Sequence, residues 1–230
     1  MPRTNDPVII VKNLTVKFRY IVALEDVTLC IQGGKVLLLG SNGSGKTTLL
    51  RVLSGLLRPT KGVVKVLGYD PFTESKELYS KMLYIRDSED YPYMLTVSTV
   101  VEMLSEIYGD SKVEKAVKLL RLEGHLFKRI GELSKGLRRR VAMIEPISSD
   151  RELILMDEPF SGLDAESRRI ITQALSELPE KVTLVVASHV PLNIGVDQVI
   201  VLEGGKLSYN GPYKTEVVQK YVGIDGFVCD

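Results

Sequence analysis

Hydrophobic residues change rhythm along this chain, and each rhythm predicts a different element. In the first third they come in short runs, Val8-Ile9-Ile10-Val11 and Leu14 to Phe18, followed by the alternating Val27-Leu29-Ile31. Alternation predicts strands of a half-exposed antiparallel sheet, because successive strand side chains point to opposite faces. After Gly33-Gly34, the run Val36 to Leu39 is apolar at every position, the pattern of a strand buried on both faces. Two kinds of sheet therefore meet near Gly40. Further strands are predicted at Val63-Val64-Lys65-Val66 and, past the polar stretch Asp70 to Ser80, at Leu83-Tyr84-Ile85. An acidic and aromatic loop follows from Arg86 to Met94, with Asp87, Glu89 and Asp90.

From Thr96 to Ile144 the period becomes helical, with Val97, Val100, Val101, Leu104 and Tyr108 on one face and Val113, Val117 and Leu120 on another. This predicts a helical insertion over about 87–145 in a single domain spanning 1–230. Strands return at Leu153-Ile154-Leu155-Met156 and Val182 to Ala187, separated by a helical Ala165 to Leu178. A closing hairpin is signalled by Val199 to Leu202, the turn Glu203-Gly204-Gly205 and Lys206 to Tyr209.

Composition removes several classes of function. The 30 Lys and Arg residues almost cancel the 29 Asp and Glu, so no basic excess points to nucleic acid. Cys30 and Cys229 form neither a disulfide framework nor a metal-ligand spacing, which argues for a reducing compartment. No apolar stretch approaches the ~20 residues a membrane-crossing helix needs, and Met1 to Pro7 carries no apolar leader core. Work at a membrane would require a partner that spans it.

The chemistry begins directly after the buried run, at Gly40-Ser41-Asn42-Gly43-Ser44-Gly45-Lys46-Thr47. Its glycines tolerate positive φ and close approach, so a turn of backbone N–H groups can wrap a phosphate. Lys46 reaches the β- and γ-phosphates, the Thr47 hydroxyl suits Mg²⁺, and the helix opening at Thr48 points its positive end at the anion. A nucleoside triphosphate is the expected ligand. A second constellation closes the strand Leu153 to Met156 with two adjacent carboxylates, Asp157 and Glu158, before Pro159. Alternation gives them different tasks: Asp157 toward Mg²⁺ and Glu158 as the base that orients the attacking water.

Asp157-Glu158-Pro159 runs on into Ser161-Gly162-Leu163-Asp164 and is preceded by Leu133-Ser134-Lys135-Gly136-Leu137. With the phosphate loop, this combination resembles the ATP-binding-cassette ATPases, over nearly the whole chain from Val8 to Gly211. The resemblance implies an α/β fold: a P-loop NTPase (RecA-like) core with an antiparallel β-subdomain and an inserted α-helical subdomain. It also implies two cassettes sandwiching two ATP molecules, each phosphate loop facing the partner's signature. By position, Leu133 to Leu137 is similar to the family's LSGGQ signature, with the Ser134 hydroxyl and the Gly136 backbone meeting the opposite γ-phosphate. Lys135 and Leu137 depart from it, in a variant that resembles the exporter branch, and Lys135 adds a charge facing the phosphate.

The resemblance also places Asp87 where relatives carry a Mg²⁺-sensing glutamine, His189 where they carry a switch histidine contacting the γ-phosphate, and Phe18 where an aromatic stacks on adenine. Tyr20 is the fallback for that stacking, and Phe18 could instead be a core residue of the β-subdomain. Arg138-Arg139-Arg140 reads as a solvated face, with Arg140 the best placed to be structural. The implied function is that of an ATPase subunit using ATP and Mg²⁺, paired with an identical or paralogous cassette. It would sit on the inner face of the cell membrane through a separately encoded integral membrane permease. A cytosolic, non-transport cassette is the alternative, and an inactive regulatory cassette is kept open only by Lys135, Leu137 and Asp87.

Overall fold

The computed structural model describes residues 6–87, 91–192 and 194–222; Glu89, Asp90 and Cys229 lie outside them. The chain divides into two compact units.

The first unit takes Met1–Ile85, Glu152–Glu158 and Glu180–Asp230. Its strands are β1 (Ile9–Phe18), β2 (Ile21–Ile31), β3 (Lys35–Leu39), β4 (Lys61–Val66), β5 (Met82–Ile85), β6 (Leu153–Asp157), β7 (Thr183–Ser188), β8 (Gln198–Glu203) and β9 (Lys206–Pro212). They form an antiparallel sheet in the order β2-β1-β4 and a six-stranded sheet in the order β5-β6-β7-β3-β8-β9. The second sheet is parallel except for the hairpin partner β9. Every residue of β6 and β7 is buried, which is why those strands carry apolar runs without alternation. The two sheet types expected around Gly40 are both present.

Two local expectations differ from what forms. The runs Val8 to Val11 and Leu14 to Phe18 join, from Ile9 onward, into one strand, β1, interrupted by register shifts between Val11 and Lys17. Asn13 and Asp26 both adopt positive φ there, and the Asn13 amide donates to the Asp26 carboxylate across the bulge at 3.0 Å. The polar stretch after Asp70 contains a short helix, α2 (Ser75–Tyr79), anchored by the buried Leu78. The core of this unit packs Leu49, Leu50 and Leu53 of helix α1 (Lys46–Leu53) with Leu38, Leu155 and Val185 of the parallel sheet and with β1, β2 and β4. Near the end of the unit lies α8 (Thr215–Val222).

The second unit takes Arg86–Arg151 and Pro159–Pro179, so it is larger than the stretch 87–145 expected from the change of period. It contains α3 (Val97–Tyr108), α4 (Asp110–Leu119), α5 (Lys135–Ala142), α6 (Ile144–Ser148) and α7 (Ala165–Ser176). The Thr96 hydroxyl caps α3 by accepting from the Thr99 N–H at 3.2 Å, which fixes where the helix starts. Val97, Val100 and Leu104 bury one face of α3, and Val113, Ala116 and Val117 one face of α4. Ile170, Ile171, Ala174 and Leu175 are the buried face of α7.

Candidate functional site

The phosphate loop runs from the end of β3 into α1, and the space around Gly40 and Gly45 restricts both positions. A Cβ on Gly40 would lie 2.3 Å from Ser44 Oγ and 2.4 Å from the Leu202 carbonyl oxygen. Gly45 has φ +104 and would bring a Cβ to 2.6 Å from Leu24 Cδ2. Gly43 is at φ +81. Gly45 precedes α1 with no side-chain cap, so the first N–H groups of the helix are left for whatever the loop encloses. The hydroxyl of Ser44 is buried and accepts no protein hydrogen bond among the described residues. Ser41 and Asn42 are exposed at the loop tip, while Thr47 and Thr48 are half-buried in the first turn of α1.

Lys46 is 5% exposed. Its Nζ donates to the Gly40 carbonyl at 2.7 Å and the Ser41 carbonyl at 3.1 Å, and lies 3.2 Å from Glu158 Oε1. The other oxygen of Glu158 is 2.8 Å from His189 Nδ1. Glu158 thus bridges the loop lysine and the histidine that follows β7. It does so from a left-handed backbone, φ 45, with its N–H donated to the Ala187 carbonyl at 3.0 Å. The chain leaves the strand at this point, and Asp157, the last residue of β6, stays buried in the sheet. The backbone therefore turns between the two carboxylates, where plain strand alternation was expected.

This donor set fits a nucleotide with Mg²⁺. One hydroxyl, Thr47, and one carboxylate, Asp157, suit a cation that keeps waters and substrate phosphates as its remaining ligands. Among the described residues no cluster of three or more His, Cys, Asp or Glu side chains offers an all-protein cage. Phe18 is 45% exposed and pairs with Ile21 at the tip of the β1–β2 hairpin, so it is not a core residue; Tyr20 is 99% exposed. Either ring is available for stacking.

The second unit holds the other singled-out residues. Ser134 caps α5, its hydroxyl accepting from the Leu137 N–H at 3.2 Å. Gly136 is buried, and a Cβ there would lie 2.3 Å from Ser167 Oγ and 2.5 Å from Asp164 Oδ2. Asp164 caps α7, accepting from the Ser167 N–H at 2.7 Å and from its hydroxyl at 3.0 Å. These bonds, the backbone one foremost, hold the Asp164 carboxyl below the ordinary aspartate range. Lys135 lies along Gly162, its Nζ 2.5 Å from where a Cβ would stand. The charge expected to face a phosphate therefore rests against its own chain.

The three arginines after the signature are not a solvated face. Arg138 Nη1 donates to the Leu133 carbonyl at 2.6 Å, and its guanidinium lies over the Tyr93 ring. Arg139 and Arg140 are 7% and 8% exposed. Arg140 donates to the Leu120 carbonyl at 3.3 Å, whereas Arg139 donates to the Arg86 and Asp87 carbonyls and to Asp87 Oδ1. The Asp87 carboxylate, expected as a metal ligand, is here the partner of an arginine. Sequence reasoning missed Arg139 and the pairing of Asp164 with Ser167; only the latter left a signal, an Asp-x-x-Ser helix start at 164–167.

Comparison with known proteins places the chain as a whole. A family model described as ABC transporter matches residues 24–161. The chain is 31% identical over 206 residues to the ABC transporter ATP-binding protein NatA of Bacillus subtilis (strain 168), covering 85% of this chain and 84% of that one. It is also 31% identical over 214 residues to a probable sulfate/thiosulfate import ATP-binding protein, CysA, of Chlorella vulgaris, covering 86% of this chain and 89% of the relative. Among solved structures, the dimeric structure of MJ0796, a bacterial ABC transporter cassette, superposes with a TM-score of 0.76 at 25% identity, over 90% of this chain and 99% of the other.

Proposed function

The chain belongs to the ABC transporter family, whose ATP-binding cassettes hydrolyse ATP to power transport, and on that premise we propose how its residues divide the work. Two cassettes, identical or paralogous, hold two ATP molecules between them and drive a separately encoded integral membrane permease. The observation that carries this reading is the Glu158 carboxylate bridging Lys46 at 3.2 Å and His189 at 2.8 Å. A base held between the loop cation and an orienting imidazole is the arrangement that positions and polarises a water for attack on phosphorus.

In this reading Lys46 moves from the Gly40 and Ser41 carbonyls to the β- and γ-phosphate oxygens, while the backbone of 40–47 and the N-terminus of α1 cradle the remaining charge. Thr47 and Asp157 would hold Mg²⁺, which would supply charge neutralisation of the phosphates. Glu158 accepts the water's proton and His189 keeps Glu158 aimed. Phe18 stacks on the adenine, with Tyr20 as the alternative ring. Ser134 and the Gly136 N–H, at the start of α5, meet the γ-phosphate held by the partner cassette. Asp87 stands where relatives sense Mg²⁺, a role assigned from the alignment of Leu83 to Asp87.

Among the described residues no helix is long and apolar enough to cross a membrane, in keeping with a subunit that reaches the inner face of the cell membrane through its permease. The direction proposed is export, from Lys135 in the signature; CysA is named as an importer, so direction needs its own measurement. Glu158→Gln keeps size and hydrogen bonding but removes the base, and should cut ATP hydrolysis by about 10²–10⁴-fold. With ATP in the absence of Mg²⁺ it should elute as a dimer, and without nucleotide as a monomer, because ATP that binds only the paired state stabilises that state. Undiminished hydrolysis removes Glu158 from the mechanism. Sequencing the neighbouring reading frames for a polytopic membrane protein, and co-expressing it with this chain, tests transport: joint purification and stimulated hydrolysis are expected, and their absence favours a cytosolic cassette.

A further inference from the structure

Arg139 joins two stretches of the helical unit that are far apart in sequence. Its Nη1 donates to the Arg86 carbonyl at 2.9 Å, and its Nη2 to the Asp87 carbonyl at 2.8 Å and to Asp87 Oδ1 at 3.2 Å. One guanidinium therefore spans two backbone carbonyls and a carboxylate while only 7% exposed. This calls for a planar fork with several donors; a lysine ammonium on a flexible stem cannot hold the three acceptors in that geometry. Arg139 sits on α5, the helix that Ser134 caps, about 7.5 Å along the axis from that cap. A second tie lies beside it, where Arg138 covers the Tyr93 ring at 5.6 Å and the Gly131 N–H donates to the Tyr93 carbonyl at 3.0 Å.

We propose that Arg139 is a positioning residue that makes Asp87 and the Ser134 end of α5 one mechanical piece, so that a displacement of Asp87 is carried to the signature segment. An α-helix two turns long is stiff, and a buried arginine bonded to main-chain carbonyls moves with the backbone it holds. Whatever presses on Asp87 then changes the aim of the Ser134 hydroxyl. The inference rests on the reading of Ser134 as the group that meets the partner cassette's ATP.

The test uses the full chain carrying Glu158→Gln and reads the ATP concentration, without Mg²⁺, that gives half-maximal dimer by light scattering. Arg139→Gln should raise that concentration about tenfold, as expected for losing hydrogen bonds from a buried charged group. Asp87→Asn should raise it by less, and the double variant no further than Arg139→Gln alone. ADP affinity, which reads the phosphate loop, should stay at the parent value in Arg139→Gln. An unchanged ATP requirement in Arg139→Gln, or additive effects in the double variant, overturns the proposal. Should Arg139→Gln fail to fold, Arg139→Lys keeps the charge without the fork; an intermediate rise supports the proposal and none overturns it. Ser134→Glu in the same background separates the two readings. If that variant still dimerises, the role of Ser134 has failed and Arg139 has nothing to position.

Discussion

The two units of this chain hold their charges in opposite ways. Around the phosphate loop, side chain meets side chain: the Lys46 charge pairs with that of Glu158, and Glu158 is bonded to the His189 ring. In the helical unit the arginines meet mainly main-chain oxygens, Arg138 at Leu133, Arg139 at Arg86 and Asp87, Arg140 at Leu120, with the Asp87 carboxylate as one further acceptor of Arg139. The first arrangement needs particular residue types at both ends, so both ends are marked in the sequence. The second needs a particular residue at one end only, because every residue has a carbonyl. It also differs in kind. A bridge of titratable side chains can exchange partners with an incoming phosphate or water, whereas an arginine bonded to backbone fixes the course of the chain.

The largest effect is expected where charge meets charge. Lys46→Ala removes the one side-chain cation of this bridge, and with it the group proposed to stabilise the developing charge on the phosphates. Losing a single such donor typically costs about 10²–10³-fold in rate, so phosphate release from ATP should fall by at least that factor. The fold should survive, since Glu158 keeps its bond to His189 at 2.8 Å. Near-parental hydrolysis in Lys46→Ala would mean that the loop and the bridge are not where the chemistry happens, and the contrast between the units would lose its functional meaning.

How far each unit could be read from sequence follows from the same contrast. The continuous apolar runs of β3 and β6 and the Gly-rich loop between β3 and α1 announced the parallel sheet and its phosphate site, because buried parallel strands and tight loops each restrict residue choice severely. Asp157 and Glu158 stood out because they close such a strand, whereas His189 was marked by the resemblance alone. Asn13 gave no warning that β1 continues through a bulge, since an Asn between two apolar runs is also an ordinary turn residue. Arg138 and Arg139 were misread as a solvated face, whereas Arg140, read as the best placed to be structural, is buried and bonded to the Leu120 carbonyl. An arginine run on a helix is usually exposed, and nothing at Leu120, Leu133 or Arg86 advertises an accepting carbonyl. Asp87 was matched by position alone, and its guanidinium partner lies 52 residues away in the chain.

A smaller effect tests how tightly the helical unit is built around the signature. Gly→Ala within a helix ordinarily stabilises by about 1 kcal/mol. At Gly136, however, the added Cβ would stand 2.3 Å from Ser167 Oγ and 2.5 Å from Asp164 Oδ2. Those atoms are bonded to each other in the α7 cap, so neither can swing away without losing that bond. Overpacking of this kind costs about 1–3 kcal/mol, so the clash should outweigh the propensity gain and Gly136→Ala should be net destabilised in urea unfolding. A variant more stable than the parent would show that the cap yields and that the signature helix is packed more loosely than the phosphate loop.

The smallest effect concerns the cap itself, and its sign follows from the depressed Asp164 carboxyl. Hydrogen bonds from the Ser167 N–H, then from its hydroxyl, favour the ionised form, so the folded chain holds this proton less tightly than the unfolded chain does. The charged cap therefore contributes its stability above the ordinary aspartate value of about 3.9 and loses it as pH falls through the lower folded value. Asp164→Asn retains a capping oxygen but cannot ionise, and Asn caps nearly as well as Asp. At pH 7 the parent should melt slightly higher than Asp164→Asn, and the gap should close as pH is lowered below the ordinary aspartate range. Because the carboxylate is exposed, solvent screens it and the gap should be small. A gap that stays constant with pH would mean that geometry alone makes this cap, and that charge in the helical unit acts only through its arginines.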